Sequence, residues 1–125
     1  MSNHIEEILT LLKNFEAENE DILGSTVVSI QGLPICSSFG EKNESKEGVV
    51  AAMVAAILSV AERASTELEK GKLRRVLLEG EDGLIIIQQA GAHSLLCVLV
   101  GSDRQLGLIF VLMKSLAERI SKILE

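Results

Sequence analysis

The side chains able to do chemistry in this chain are few and scattered. Glu81 and Asp82 are adjacent carboxylates, but they sit in a Gly80-Glu81-Asp82-Gly83 turn between apolar runs, where neighbouring side chains diverge into solvent. His4 and His93 have no Cys, His or Asp partners at metal-ligand spacing. Cys36 and Cys97 lie 61 residues apart, again without ligand spacing around either. Two buried thiols are therefore expected, rather than a disulfide or a redox pair. No serine stands in a G-x-S-x-G elbow. Neither a GxxxxGK[ST] loop nor a dinucleotide fingerprint is present, so the chain itself is not expected to bind a nucleotide. Arg63, Arg74, Arg75 and Arg104 read as ordinary surface charges or as partner contacts. No catalytic, cofactor-binding or metal site is assigned, and the chain is not read as an enzyme. Its functional candidates are apolar surfaces.

The foremost of these is GVVAAMVAAILSVA, residues 48–61, which carries no charge and lies within a helical pattern spanning residues 44–70. At 100° per residue Val50, Met53, Val54, Ile57, Val60, Ala64 and Leu68 gather on one face. Ala51, Ala52, Ala55, Ala56 and Ser59 gather on the opposite face, followed by Glu62 and Thr66. A helix apolar on every side calls for cover on every side. The bulky face is expected to lie on the chain's own sheet, and the alanine face to meet a second copy or another protein. The competing reading places the alanines in solvent, as good helix formers and nothing more.

With 125 residues the chain is expected to form one domain, residues 1–125, with a real core. Three Phe and no Tyr or Trp make that core aliphatic and argue against stacking platforms for single-stranded nucleic acid. A net charge of −6 disfavours a general phosphate-backbone binder. The imbalance is local: residues 1–48 hold nine acids against three bases, and residues 49–125 hold nine of each. The opening SNHIEE has neither a basic nor an apolar signal region. No apolar run is expected to approach the roughly 18–20 residues of a membrane span, residues 106–113 being the densest and stopping at Lys114. A cytoplasmic protein is the expectation.

Periodicity then orders the elements. Ile5, Ile8, Leu9, Leu12 and Phe15 mark a helix over residues 3–19, capped by Ser2 or Asn3, with Glu6 and Glu7 in its first turn. Residues 23–30 and 35–39 read as a hairpin turning through Gln31-Gly32-Leu33-Pro34. Residues 40–46 are a polar loop in which Asn43 or Ser45 would cap the long helix, and Gly71 would end it in the left-handed conformation. Three strands follow, at residues 73–79, 84–90 and 94–100. The apolar runs LIII and LLCVLV imply strands covered on both faces. Ser37 and Ser38 in one strand, and Arg74 and Arg75 in another, mark two edges. Ser102 or Asp103 would cap a last helix with a stripe of Leu106, Ile109, Leu112, Met113, Leu116, Ile120 and Ile123. Three helices around a doubly covered sheet divide two and one, leaving the long helix alone. At about 27 residues it would run about 40 Å, against about 20 Å for the strands. Pairing the 73–79 edges across a two-fold axis would extend the sheet and bring two such helices together.

The pattern resembles the roadblock/dynein light chain family. The likeness is carried by VVSIQGLPI (residues 27–35), by AAMVAAILSVAERA (residues 51–64), by LLEGEDGLIIIQQAGAHSLLCVLVGSDRQLGLI (residues 77–109), and by Leu106-Gly107 within the last. It implies an α+β, profilin-like fold: a five-stranded antiparallel sheet in order 2-1-5-4-3, two helices on one face and one long helix on the other. It also implies a homodimer joined through the third strand and the long helix. The contact would involve Ala51, Ala52, Ala55, Ala56, Ser59, Glu62 and Arg63, together with Arg74, Val76 and Leu78. A minimal prokaryotic, MglB-like member of this family would serve as a platform for a Ras-like small GTPase. Two other functions fit the same residues: a structural adaptor without effect on GTP hydrolysis, and a PAS- or GAF-like small-molecule sensor. Against the sensor stands the lack of a polar or aromatic ligand-facing cluster.

Overall fold

Apolar runs at strand length and apolar stripes at helix spacing alternate along this chain, and the computed structural model sets them into one sheet between two helical layers. It describes residues 2–40 and 45–125. In chain order the elements are α1 (Ser2–Glu18), β1 (Ile22–Ser29), β2 (Pro34–Ser38), α2 (Glu47–Glu67), β3 (Arg75–Gly80), β4 (Gly83–Gln89), β5 (Ser94–Val100) and α3 (Leu106–Leu124). The sheet is antiparallel in the order β2-β1-β5-β4-β3, as the family resemblance implied. β5 is the most thoroughly buried strand, in keeping with its unbroken apolar run.

Because successive strand residues face opposite ways, the sheet feeds two separate cores. On one side Val27, Ile86, Leu96 and Val98 meet Ile8, Leu12 and Phe15 of α1 and Ile109, Met113 and Ile120 of α3. On the other, Val28, Ile87, Leu95 and Cys97 meet Ala51, Val54 and Leu58 of α2, with Leu73 and Val76 at the margin. The two-and-one division of helices therefore holds.

Several local expectations are revised. The last helix begins at Leu106 behind Gln105, without a side-chain cap from Ser102 or Asp103. Those two residues are replaced by a knot between chain segments. Asn19 Nδ2 donates to Gln105 Oε1 at 2.6 Å, and Arg104 donates to the buried Asp21 carboxylate at 2.9 Å. Glu6 and Glu7 fall in the second turn of α1, which starts at Ser2. α2 is capped by Lys46 without a side-chain bond, and Ser45 lies in the turn before it. The expected start at Glu44 and the cap at Asn43 lie outside the described residues. Gly71 does take a positive φ of 84°, but α2 has already ended at Glu67 and Glu69 also turns left-handed. With 21 residues α2 is shorter than expected, although at 1.5 Å per residue it still runs about 30 Å. Between Glu62 and Glu67 only Ser65 is half-buried, and the others are exposed. By length and composition alone α2 is apolar enough to cross a membrane, with a mean hydropathy of 1.5. An uninterrupted apolar run does not reveal this, because Glu62 and Arg63 break the run without offsetting its hydropathy.

Candidate functional site

α2 carries the apolar surface expected from the sequence, but its rotation about its own axis differs from the expected one. The side turned to the sheet is Val50, Ala51, Val54, Ala55, Ile57 and Leu58, with Ala51 fully buried. Met53, Val60, Ala64 and Leu68, expected to face inward, are exposed; Val60 and Leu68 keep about two-thirds of their surface, at 67% and 69%. Ala51, expected on the free side, is instead part of the core, and Ala55 is half-buried. Leu58, which neither expected face included, anchors the inward side at 5% exposure.

The physical cause lies in the β1–β2 turn. Gly32, at φ 92°, rests directly on α2; a Cβ there would stand 3.3 Å from the Ala52 Cα and 3.7 Å from the Ala55 Cβ. Such close approach needs small residues on the helix as well as in the turn. Size thus works here in the opposite sense to the expected one: alanines let the helix descend onto its own sheet. Val50, Val54 and Ile57 pack inward as expected, joined by Leu58, while Met53 and Val60 are turned outward. Apolarity on all sides leaves no polar flank to set the rotation, so packing geometry decides it.

Val49, Met53, Ala56 and Val60 consequently form an outward ridge spaced i, i+4, i+7, i+11, with Ala52, Ser59 and Arg63 along its sides; all are exposed. This 4-3-4 spacing is that of a helix–helix seam. It was present in the sequence, and the sorting of large from small residues obscured it. Of the other residues assigned to the interface, Ser59 and Glu62 are exposed and line a hollow of ≈ 310 Å³ beside Ala55 and Leu58. Arg74 is exposed just before β3, Val76 is half-buried, and Leu78 is 37% exposed.

β3 completes the surface. Among the described residues it pairs with β4 alone, so its outer row of N–H and C=O groups has no strand partner. Leu77 and Leu78 are both exposed on it, at 42% and 37%. No proline or bulge interrupts the pairing with β4. On the α2 side Leu78 lies opposite Ile85, itself 37% exposed, because α2 lies over β1, β2 and β5 and leaves this strip of sheet bare. An exposed, regular, apolar edge is a template for another strand.

The polar candidates separate from this surface. Glu81 and Asp82 occupy an exposed turn, and His4 and His93 are exposed. Cys36 and Cys97 are both free and buried, and they belong to the cores on opposite faces of the sheet, so no disulfide can join them. Burial pushes the Cys97 thiol up to about 12, and Cys36 is raised by burial and then by the Glu47 carboxylate. Neither thiol is an activated nucleophile. Among the described residues no group of His, Cys, Asp or Glu is arranged to hold a metal.

Comparison with known proteins agrees with this architecture. The family model of the Roadblock/LC7 domain matches residues 7–100. Protein MJ1340 of Methanocaldococcus jannaschii is 37% identical over 103 residues, covering 82% of this chain and 88% of its own. The Roadblock/LC7 domain from Streptomyces avermitilis superposes with a TM-score of 0.85 at 19% identity, covering 93% of this chain and 96% of that one. The gliding protein mglB from Thermus thermophilus does so at 0.83 and 16% identity, covering 96% and 90%.

Proposed function

The chain belongs to the Roadblock/LC7 domain family, and on that premise we propose that it is a non-enzymatic homodimeric platform that binds a Ras-like small GTPase and regulates or scaffolds it. The observation that carries the dimer is the apolar ridge of α2 standing beside the open, apolar edge of β3. Both call for cover, and a two-fold axis beside β3 would cover both at once, since such an interface presents the same patch twice. Edge-to-edge pairing satisfies the outer main-chain groups of β3, while the Val49–Met53–Ala56–Val60 seam meets its own copy. The GTPase is the partner class that the family resemblance implies. A fold shared with mglB fits it, and the exposed Arg63, Glu62 and Ser59 flank the ridge on the helix where a third body could reach them.

A pair of charge insertions tests the dimer. Ala56→Glu places two carboxylates in the seam and should leave a folded subunit that sediments as a monomer. Ala51→Glu buries a lone charge beneath the same helix and should prevent folding, at a cost on the order of several kcal/mol. A dimer unchanged by Ala56→Glu would overturn the assignment of this face. The partner is tested by mixing the protein with each Ras-like GTPase of the same genome. A co-eluting complex with altered hydrolysis or exchange supports regulation, and a complex with unaltered turnover supports scaffolding alone. No complex with any of them would refute the GTPase reading.

A further inference from the structure

A second surface, separate from the α2 ridge, is defined by charge. Two adjoining hollows of ≈ 790 and ≈ 460 Å³ share Gln88, Gln89, Gly91 and Lys114, and a third continues from the first through Lys72, Leu73 and Arg74. Together they make a trough along the join of β3, β4 and α3, lined by Lys70, Lys72, Arg74, Arg75, Lys114 and Lys122. Six of the twelve bases of a chain with net charge −6 thus meet in one concavity. Glu118 is the one acid in its lining. Glu125 stands at the margin, where its carboxylate already accepts from the Ala92 N–H at 2.7 Å and the Ser121 hydroxyl at 2.8 Å. Among the described residues every ion pair involves Arg104, so these six cations have no protein carboxylate within salt-bridge distance.

The wall of the trough carries a second signal. The Arg75 guanidinium lies over the Phe110 ring at 4.4 Å, which holds it in place. Its Nε is buried without a hydrogen-bond partner, and so is Oε1 of Gln88, the residue paired with Arg75 across β3 and β4. Each of these two atoms is itself covered, so what the wall presents to a ligand is the rest of the Arg75 guanidinium and of the Gln88 amide.

We propose that this trough binds an extended acidic peptide segment of a partner protein. An isolated phosphate would fill little of a hollow of ≈ 790 Å³. A membrane surface is too flat to enter a concavity between a helix and a sheet. Nucleic acid would find no free aromatic ring to stack on, since Phe110 is covered by Arg75 and the chain has no Tyr or Trp. An acidic peptide supplies what the trough lacks, carboxylates along the length of its unpaired cations.

The test is fluorescence anisotropy of a labelled oligoglutamate peptide with the full-length protein at low salt. Saturable binding is expected, weakening steadily with added salt and absent for an oligolysine peptide. Lys72→Glu with Arg74→Glu should weaken it about tenfold or more, the equivalent of about 1.4 kcal/mol. Lys13→Glu, on the remote helix α1, should leave it unchanged. If the charge reversals disturb folding, Lys72→Gln with Lys114→Gln removes two exposed charges and should still reduce affinity. Absence of binding, or equal binding by the double variants, would overturn the proposal. So would tighter capture of an oligothymidylate or of phosphatidylserine vesicles through the same lysines. Arg74 also belongs to the residues assigned to the dimer contact, so Lys72→Gln with Lys114→Gln, which lies outside that contact, separates loss of the trough from loss of the dimer.

Discussion

At one edge of the sheet β2 is gripped from both sides. Glu16 of α1 accepts hydrogen bonds from Ser25 and Ser38, at 2.8 and 3.2 Å, while Glu47 of α2 accepts from Ser37 at 2.8 Å. Ser37 in turn lies 2.7 Å from the Thr26 hydroxyl, and Pro34 begins the strand with no N–H to offer a neighbour. At the other edge the α2 core covers only Val76 of β3 and leaves Leu78 bare, and the strand has no proline and two exposed leucines. The polar residues of β2 and the apolar residues of β3 invert the usual intuition. The serine-rich strand is finished within the subunit, because each hydroxyl has a carboxylate or hydroxyl to meet. The leucine-rich strand is unfinished, because nothing among the described residues covers Leu77 and Leu78 or pairs with its outer edge. An edge that needs a partner can thus be told from one that does not by where its hydrogen bonds and its leucines go.

This contrast can be broken most forcefully through the cores behind each edge. Ile8→Ala, in the fully buried contact of α1, should cost about 2–5 kcal/mol in urea unfolding. Leu78→Ala should cost the isolated subunit only about 0.5 kcal/mol, yet lower self-association in sedimentation. A large stability loss from Leu78→Ala in the monomer would mean that the β3 edge is already finished.

Smaller effects sharpen the comparison. Glu16→Ala removes the acceptor for two hydroxyls, including that of the buried Ser25, and should destabilise by about 1–3 kcal/mol. Hydrogen exchange should then rise in β1 and β2 while β3 keeps its parent protection. Thiol labelling reports on each core without mutation. Cys97, pushed up to about 12 by burial, should react with a disulfide reagent at neutral pH only as fast as the protein opens. Rapid labelling of both thiols in the native protein would contradict the closed cores.

The smallest effect is at the C-terminus. The Ala92 N–H and the Ser121 hydroxyl hold the exposed Glu125 carboxylate below its ordinary range. Its contribution is therefore present above the unfolded carboxylate pKa and lost as pH falls through the lowered folded value. Exchange of the Ala92 amide, corrected for its intrinsic pH dependence, should accelerate across that acid window and should be fast at neutral pH in Glu125→Gln.

Much of this molecule is legible from residue order. Apolar runs of strand length, turns at Gly32 and Gly83, and i, i+3, i+4 stripes placed all eight described elements within a few residues, apart from the ends of α2. Continuous apolarity in β5 marked a strand buried on both faces, and polarity in β2 and at the start of β3 marked the two edges. Those features are local, and the periodicity of each element states which of its sides is dry.

The tertiary structure alone decided how α2 is turned and where the basic trough forms. A helix dry on every side has no polar flank to orient it, so Gly32 meeting Ala52 and Ala55 chose its inward face, and Met53 and Val60 were left outside. The charges of the trough come from the link before β3, from Arg75 at its start and from two turns of α3, segments far apart in sequence that only the packing of α3 on the sheet brings together. Periodicity is a property of one segment, whereas close approach and charge clustering are properties of two or more, and the second kind is written only in the fold.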